Sequence, residues 1–218
     1  MALQKKDFVE IEFTGRVKGG EVFDSNTKEE LEKLHAGHDH PIELKPLTLC
    51  LGQSMFLKSV EDFLIGKEIG KTYDIELEPE NAFGKRDSTY VYTMPLKIFR
   101  EKNIRPVVGA TFNFDGKVGK VLTVSGGRVI IDFNHFLAGK TVTYQIKVLK
   151  KVDDLNDKVK AVNEFFFRQD LKFDIEGKKL TIEVEKPLVK IIELFKDKFK
   201  EILDLDLEVK EAPEVKTK

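Results

Sequence analysis

The chain has 218 residues, 41% hydrophobic and 34% charged, which supplies a core and excludes a chain disordered throughout. Its 37 lysines and arginines balance 38 acidic residues for a net charge of −1, which argues against nucleic acid as a partner of the whole chain. The lone cysteine, Cys50, excludes an internal disulfide framework and fits a reducing compartment. No apolar stretch approaches the ~18 residues of a membrane span and none precedes Asp7, so the expectation is a cytoplasmic protein without signal peptide or membrane partner.

Residues 8–17 alternate apolar with polar, predicting a strand with one buried face. Gly19-Gly20 turns the chain, and residues 21–25 return as a second strand. The charged stretch 27–35 suits a short surface helix or loop, and 42–51 reads as a strand. Phe56, Leu57, Val60, Phe63 and Leu64 have the spacing of an amphipathic helix over 55–65, with Gly66 as its C-terminal cap. Residues 72–77 alternate again. Between 89 and 133 the grammar changes: glycines punctuate short strands, and seven basic residues face three acidic ones, a net +4. This segment reads as an inserted small β-rich domain, after which residues 141–148 return to the first sheet. From Asp153 a helical pattern runs through Leu155, Val159, Val162 and Phe166. Glu176-Gly177-Lys178 joins a hairpin, and Pro187 opens a second helix carrying Leu188, Ile191, Ile192, Phe195, Phe199 and Ile202. Residues 203–209 form a last strand and 211–218 a frayed tail. The expected fold class is α+β. An antiparallel sheet wrapped on a short helix occupies 1–88 and 134–152, the inserted β-rich domain 89–133, and a C-terminal α/β domain 153–218.

Several motifs fail. Ala138-Gly139-Lys140-Thr141 resembles the end of a phosphate-binding loop, but Asn134 stands where that loop needs glycine, and a strand follows where a helix should. His35, His38 and His40 surround Asp39, yet lack a fourth ligand and supporting partners, so no metal or other cofactor is expected. Cys50 reads as a packed small side chain, and no nucleophile–base pair stands out.

Four pieces remain: Val22-Phe23-Asp24-Ser25; Leu51-Gly52-Gln53 with Phe56-Leu57; Asn81-Ala82-Phe83-Gly84; and Asn134-His135-Phe136-Leu137-Ala138-Gly139. As an ordered set they resemble the FKBP class of peptidyl-prolyl isomerases, and within it the SlyD-like, long archaeal branch, over roughly residues 5–150. That resemblance implies an FKBP-like fold interrupted by an insert-in-flap domain. It implies a catalytic group of Asp24, Leu57, Phe83 and Tyr144, a pocket of Phe13, Phe23, Leu47, Phe56 and Val60, and a rim of His135 and Leu137. It further implies that the Leu57 N–H holds a substrate carbonyl and that Asp24 acts electrostatically rather than as a base. The sequence departs from the eukaryotic pattern at Phe13 and Phe83, where tyrosine is usual, and at Val60, where tryptophan is usual. Weak macrolide binding is the expected result.

The chemistry asks for no nucleophile. An Xaa-Pro bond exchanges slowly because resonance imposes a barrier of ~18–20 kcal/mol. A dry aromatic cup that favours the twisted amide lowers the barrier by differential binding, and ~4 kcal/mol gives roughly 10³-fold acceleration. In the insert, Ile98, Phe99, Val107, Val108, Phe112 and Phe114 lie among basic residues. They either fill its own core or form an exposed groove or edge that takes unfolded segments, acidic ones included. The expected partners are unfolded or partly folded proline-containing polypeptides. The chain itself is a monomer, or a dimer through residues 153–218. A holdase without turnover, an RNA-binding β-barrel and a metal carrier are the alternatives.

Overall fold

The structure is a computed structural model and describes residues 2–34 and 45–212. His35, His38, His40, the start of the expected 42–51 strand and most of the expected tail lie outside the described residues. The chain forms two compact units: Met1–Arg16, Glu21–Ile75 and Thr143–Lys218 make the first, and Val17–Gly20 with Glu76–Val142 the second.

The first unit is organised by one long strand, β1 (Phe8–Val17). Its first half pairs antiparallel with β3 (Leu47–Cys50), and its second half with β2 (Val22–Ser25). With β4 (Thr72–Leu77) and β9 (Val142–Lys151) these make a five-stranded sheet in the order β2-β1-β9-β4, with β3 on β1. Its alternating inward residues (Val9, Ile11, Phe13, Tyr144, Ile146, Val148) are buried. A short helix α1 (Lys28–Leu34) follows β2. Helix α2 (Lys58–Leu64) contributes Val60 and Leu64 to the core. It is shorter than the periodicity predicts, because Phe56 and Leu57 precede it: Leu57 keeps non-helical angles (φ −59°, ψ 123°) as its N-cap. Gly66 (φ +84°) follows the helix end and donates its N–H to Leu3 O.

Helix α4 (Leu155–Phe167) begins at Asp154, whose carboxylate accepts the Asp157 N–H at 3.0 Å. Strands β10 (Lys172–Glu176) and β11 (Lys179–Val184) form the expected hairpin, and β12 (Asp206–Glu211) lies parallel to β11. A parallel pair needs a crossover, supplied here by α5 (Lys186–Glu193) and α6 (Lys196–Leu203). The expected single helix is thus two. The break at Leu194-Phe195 lets Ile192, Phe199 and Ile202 all reach the interior while Ile191 and Leu194 stay 50% and 82% exposed.

The second unit holds a four-stranded antiparallel sheet, β5-β8-β7-β6, built from Val91–Pro95, Arg128–Asp132, Lys117–Ser125 and Thr111–Phe114. Helix α3 (Leu96–Glu101), which the sequence pattern did not predict, sits between β5 and β6 in the chain. It drives Phe99 (2% exposed) into a core with Val121, Val129 and Ile131. Of the two readings left open for it, Phe99 thus fills the insert's own core and does not belong to a client-holding surface. Phe112 and Phe114 are half-buried against it, ring centroids 6.2 and 6.0 Å away, so they flank the core rather than form an open groove. Ile98, Val107 and Val108 are exposed. Before β5 and after β8 the chain is clasped to itself. Asn134 accepts the Asp87 N–H and donates to Asp87 O and Asp132 Oδ1, and Arg86 Nε donates to Asp132.

Candidate active site

In the first unit, β1, β2, β9 and the loop before α2 bring four aromatic rings together. Phe13 meets Phe56 at 4.9 Å and Tyr144 at 6.2 Å; Tyr144 also meets Phe56 at 5.5 Å and Phe23 at 5.7 Å. All but the Phe13–Tyr144 pair are edge-on, the arrangement that ring quadrupoles favour. Phe13, Val60 and Tyr144 are buried, while Phe23, Leu47, Phe56 and Leu57 are half-buried. The result is an apolar cup with a closed floor and partly open walls.

Gly15 makes the cup possible. It pairs across the sheet with Asp24, and a β-carbon there would lie 2.8 Å from Phe23 and 2.9 Å from Tyr144. The two rings pack onto bare backbone. A glycine inside an alternating strand is the sequence signal for such close approach. Asn26 fixes the neighbouring stretch: Oδ1 accepts the Phe13 N–H at 2.7 Å, and Nδ2 donates to Ile11 O at 3.0 Å.

Asp24 is the charged group of this site. Its side chain reaches solvent, yet the surrounding apolar groups desolvate it and raise its carboxyl above the usual carboxylate range, against a hydrogen bond from the Ser25 backbone. Burial raises the Tyr144 hydroxyl, and the Asp24 charge raises it further, which sets the two groups within electrostatic reach.

The loop carrying Phe56 and Leu57 hangs on Glu61, which is fully buried. Glu61 Oε2 accepts the N–H groups of Gly52, Gln53 and Ser54 at 2.8, 3.1 and 3.0 Å, and Oε1 accepts that of Phe56 at 2.7 Å. One carboxylate thus gathers four backbone donors. The next donor, the Leu57 N–H, has no partner among the described residues. Cys50 is buried close by, its thiol pushed up to about 12 chiefly by burial, as a packed side chain requires.

The remaining sequence-derived residues lie in the second unit. Phe83, in the turn after Pro79–Asn81, stacks on His135 at 5.1 Å and 9°. His135 Nδ1 accepts the Leu137 N–H at 3.3 Å, and the Gly139 N–H donates to Gly84 O, tying the turn to the returning segment. His135 is exposed, whereas Leu137 is 1% exposed and fills the interior rather than a rim. Gly15, Asn26 and Glu61 were not singled out from sequence. Among the described residues no cluster of His, Cys, Asp and Glu fit to hold a metal occurs, and no helix is long and apolar enough to cross a membrane.

Comparison with known proteins finds one family model and several relatives. Residues 93–137 match the family model described as the FKBP26 IF domain. Over 146 residues, 67% of this chain, it is 29% identical to a short-type peptidyl-prolyl cis-trans isomerase of Methanocaldococcus jannaschii, covering 92% of that protein. It is 32% identical over 111 residues to an FKBP-type 16 kDa peptidyl-prolyl cis-trans isomerase of Escherichia coli, covering 49% of this chain and 74% of the relative. It is 30% identical over 115 residues to the isomerase SlyD of Helicobacter pylori, covering 51% and 62%.

Proposed function

The chain belongs to the FKBP-type peptidyl-prolyl cis-trans isomerases, and from that premise we propose that it isomerises Xaa-Pro bonds in unfolded clients while its inserted sheet holds the extended chain. The observation that carries this reading is the aromatic cup of Phe13, Phe23, Phe56 and Tyr144, with the desolvated Asp24 and a Leu57 N–H unpartnered among the described residues. In this reading the proline ring enters the cup and the Leu57 N–H receives a substrate carbonyl. The planar amide depends on a charge-separated resonance form that water stabilises; the dry cup weakens that form and so favours the twisted state. Asp24 biases the same twist through its field, and no proton is transferred.

The holding role rests on the exposed Ile98, Val107 and Val108 of the second unit. A weak second site on the same chain raises the local concentration of a client's prolines at the cup. The setting proposed is the cytoplasm, where Cys50 stays reduced. The test is refolding of a protein limited by one slow prolyl bond, with catalytic amounts of this chain. Acceleration that falls at least tenfold in Asp24→Ala and in Phe83→Ala supports the reading. Acceleration untouched by both substitutions places catalysis elsewhere. Suppressed aggregation without acceleration reduces the proposal to holding alone.

A further inference from the structure

The second unit contains a cleft whose lining meets the sequence-derived site only at His135 and includes none of the exposed Ile98, Val107 and Val108. Its volume is about 560 Å³, and it lies between one face of the inserted sheet and the returning segment 134–140. Strand β7 lines it with Val118, Lys120 and Leu122, the returning segment with Phe136 and Lys140, and the preceding linker with Arg86. Val118 and Phe136 are 63% and 65% exposed, large apolar groups left open to water.

The charges are one-sided. The carboxylate of Asp132, also in the lining, is engaged by Arg86 and by Asn134. Lys120 and Lys140 form no ion pair among the described residues, so the uncompensated charge of the cleft is positive. The strand also sets a register. Val118 and Lys120 share a face because strand side chains alternate. The register shift between Val121 and Thr123 is a bulge, which leaves Leu122 unpaired and turned into the same cleft. The row therefore reads apolar, basic, apolar, at about 6–7 Å per step.

We propose that this cleft is a subsite for extended polypeptide segments that carry an acidic side chain between apolar ones at alternate positions. An extended chain has the same two-residue spacing, so a Glu or Asp meets Lys120 and Lys140 while its apolar neighbours cover Val118, Leu122 and Phe136. Phe133, His135 and Phe136 bring rings to the same lining, but the alternation of Val118, Lys120 and Leu122 matches the two-residue repeat of an extended polypeptide, which favours a peptide over a nucleic acid. The inference rests on the reading of the inserted sheet as a client-holding surface and names the clients it prefers.

The test uses the full chain and fluorescein-labelled, proline-free peptides containing Leu-Thr-Glu-Thr-Phe, with Gln or Lys replacing Glu in two controls. The Glu peptide is expected to bind five- to tenfold more tightly than the Lys peptide at low salt, with the gap closing as salt rises. The double variant Lys120→Glu, Lys140→Glu is expected to reverse that order while leaving isomerisation of a proline tetrapeptide unchanged. Equal binding of all three peptides, unaffected by the charge reversal, overturns the inference and leaves the holding role standing. No binding of any peptide overturns the holding role and the inference together, and loss of tetrapeptide turnover in the unaltered chain would strike the isomerase reading alone. Preferential binding of poly-uridine over the Glu peptide overturns the inference in favour of a nucleic-acid surface.

Discussion

Asp24 sits where charge is costly, and its raised pKa has consequences for both rate and stability. A carboxylate that acts through its field loses that action on protonation. Isomerase activity is therefore expected to begin falling, as the pH is lowered, at a higher pH than an ordinary aspartate's ~3.9 would give. In Asp24→Asn this inflection should vanish and turnover at neutral pH should drop about tenfold, readable with a proline tetrapeptide across pH 4–8. The stability effect has the opposite sign. A group whose native value is raised favours folding below its unfolded value, and that contribution is lost as pH rises through the native one. At neutral pH the native protein thus carries a desolvation penalty, and Asp24→Asn is expected to raise the melting temperature by about 1–2 °C, discounted for solvent access. The gain should disappear below about pH 4, as scanning calorimetry at two pH values would show. A slower variant more stable than its parent would mark a residue kept for function rather than folding.

Among the elements, the loop before α2 depends on Glu61 more than on its own sequence. Replacing Glu61 with Gln keeps the shape but swaps one acceptor oxygen for a donor facing backbone N–H groups. The expected cost is about 2–3 kcal/mol. Amide exchange should quicken at Gly52, Gln53, Ser54 and Phe56, and KM should rise more than kcat falls. Asn163 presents the reverse case on α4: it is fully buried, and neither amide atom is hydrogen-bonded to a described residue. Asn163→Leu, similar in shape, is expected to stabilise the protein by about 1–2 kcal/mol, seen as a higher denaturant midpoint without a change in slope. Sequence periodicity found the strands because alternation follows from burying one face. It found α4 because Asp154 and the apolar stripe agree. It missed α3, whose six residues follow Pro95 and complete fewer than two turns. It missed the break between α5 and α6, which contains neither glycine nor proline and answers to tertiary packing. Glu61 escaped notice because a glutamate beside apolar positions normally marks a helix's wet face; only the fold turns it inward.

For the whole molecule, the legible part was the order of the pieces, since each motif is local; the aromatic cup was legible only through family resemblance, because its members lie far apart in sequence. Asn134 illustrates the limit. From sequence it spoils a phosphate loop and opens the returning motif, whereas in the fold it bridges Asp87 and Asp132. Residues 91 and 132 are register partners on neighbouring strands, so the chain leaves and returns at nearly one point. Excising 92–131 and closing the gap with a short glycine turn is expected to keep tetrapeptide isomerisation within about threefold. It should cut acceleration of protein refolding by about ten- to a hundredfold, as loss of the second site requires. The clasp of Arg86, Asp87, Asp132 and Asn134 then acquires a meaning beyond local order. It is a socket: it asks of whatever is plugged in only that its two ends lie side by side, as the ends of any antiparallel strand pair do. Under the proposed division of labour, such a chain can exchange the segment proposed to read clients without redesigning the isomerase sheet, which makes the insert the place where a new clientele costs least.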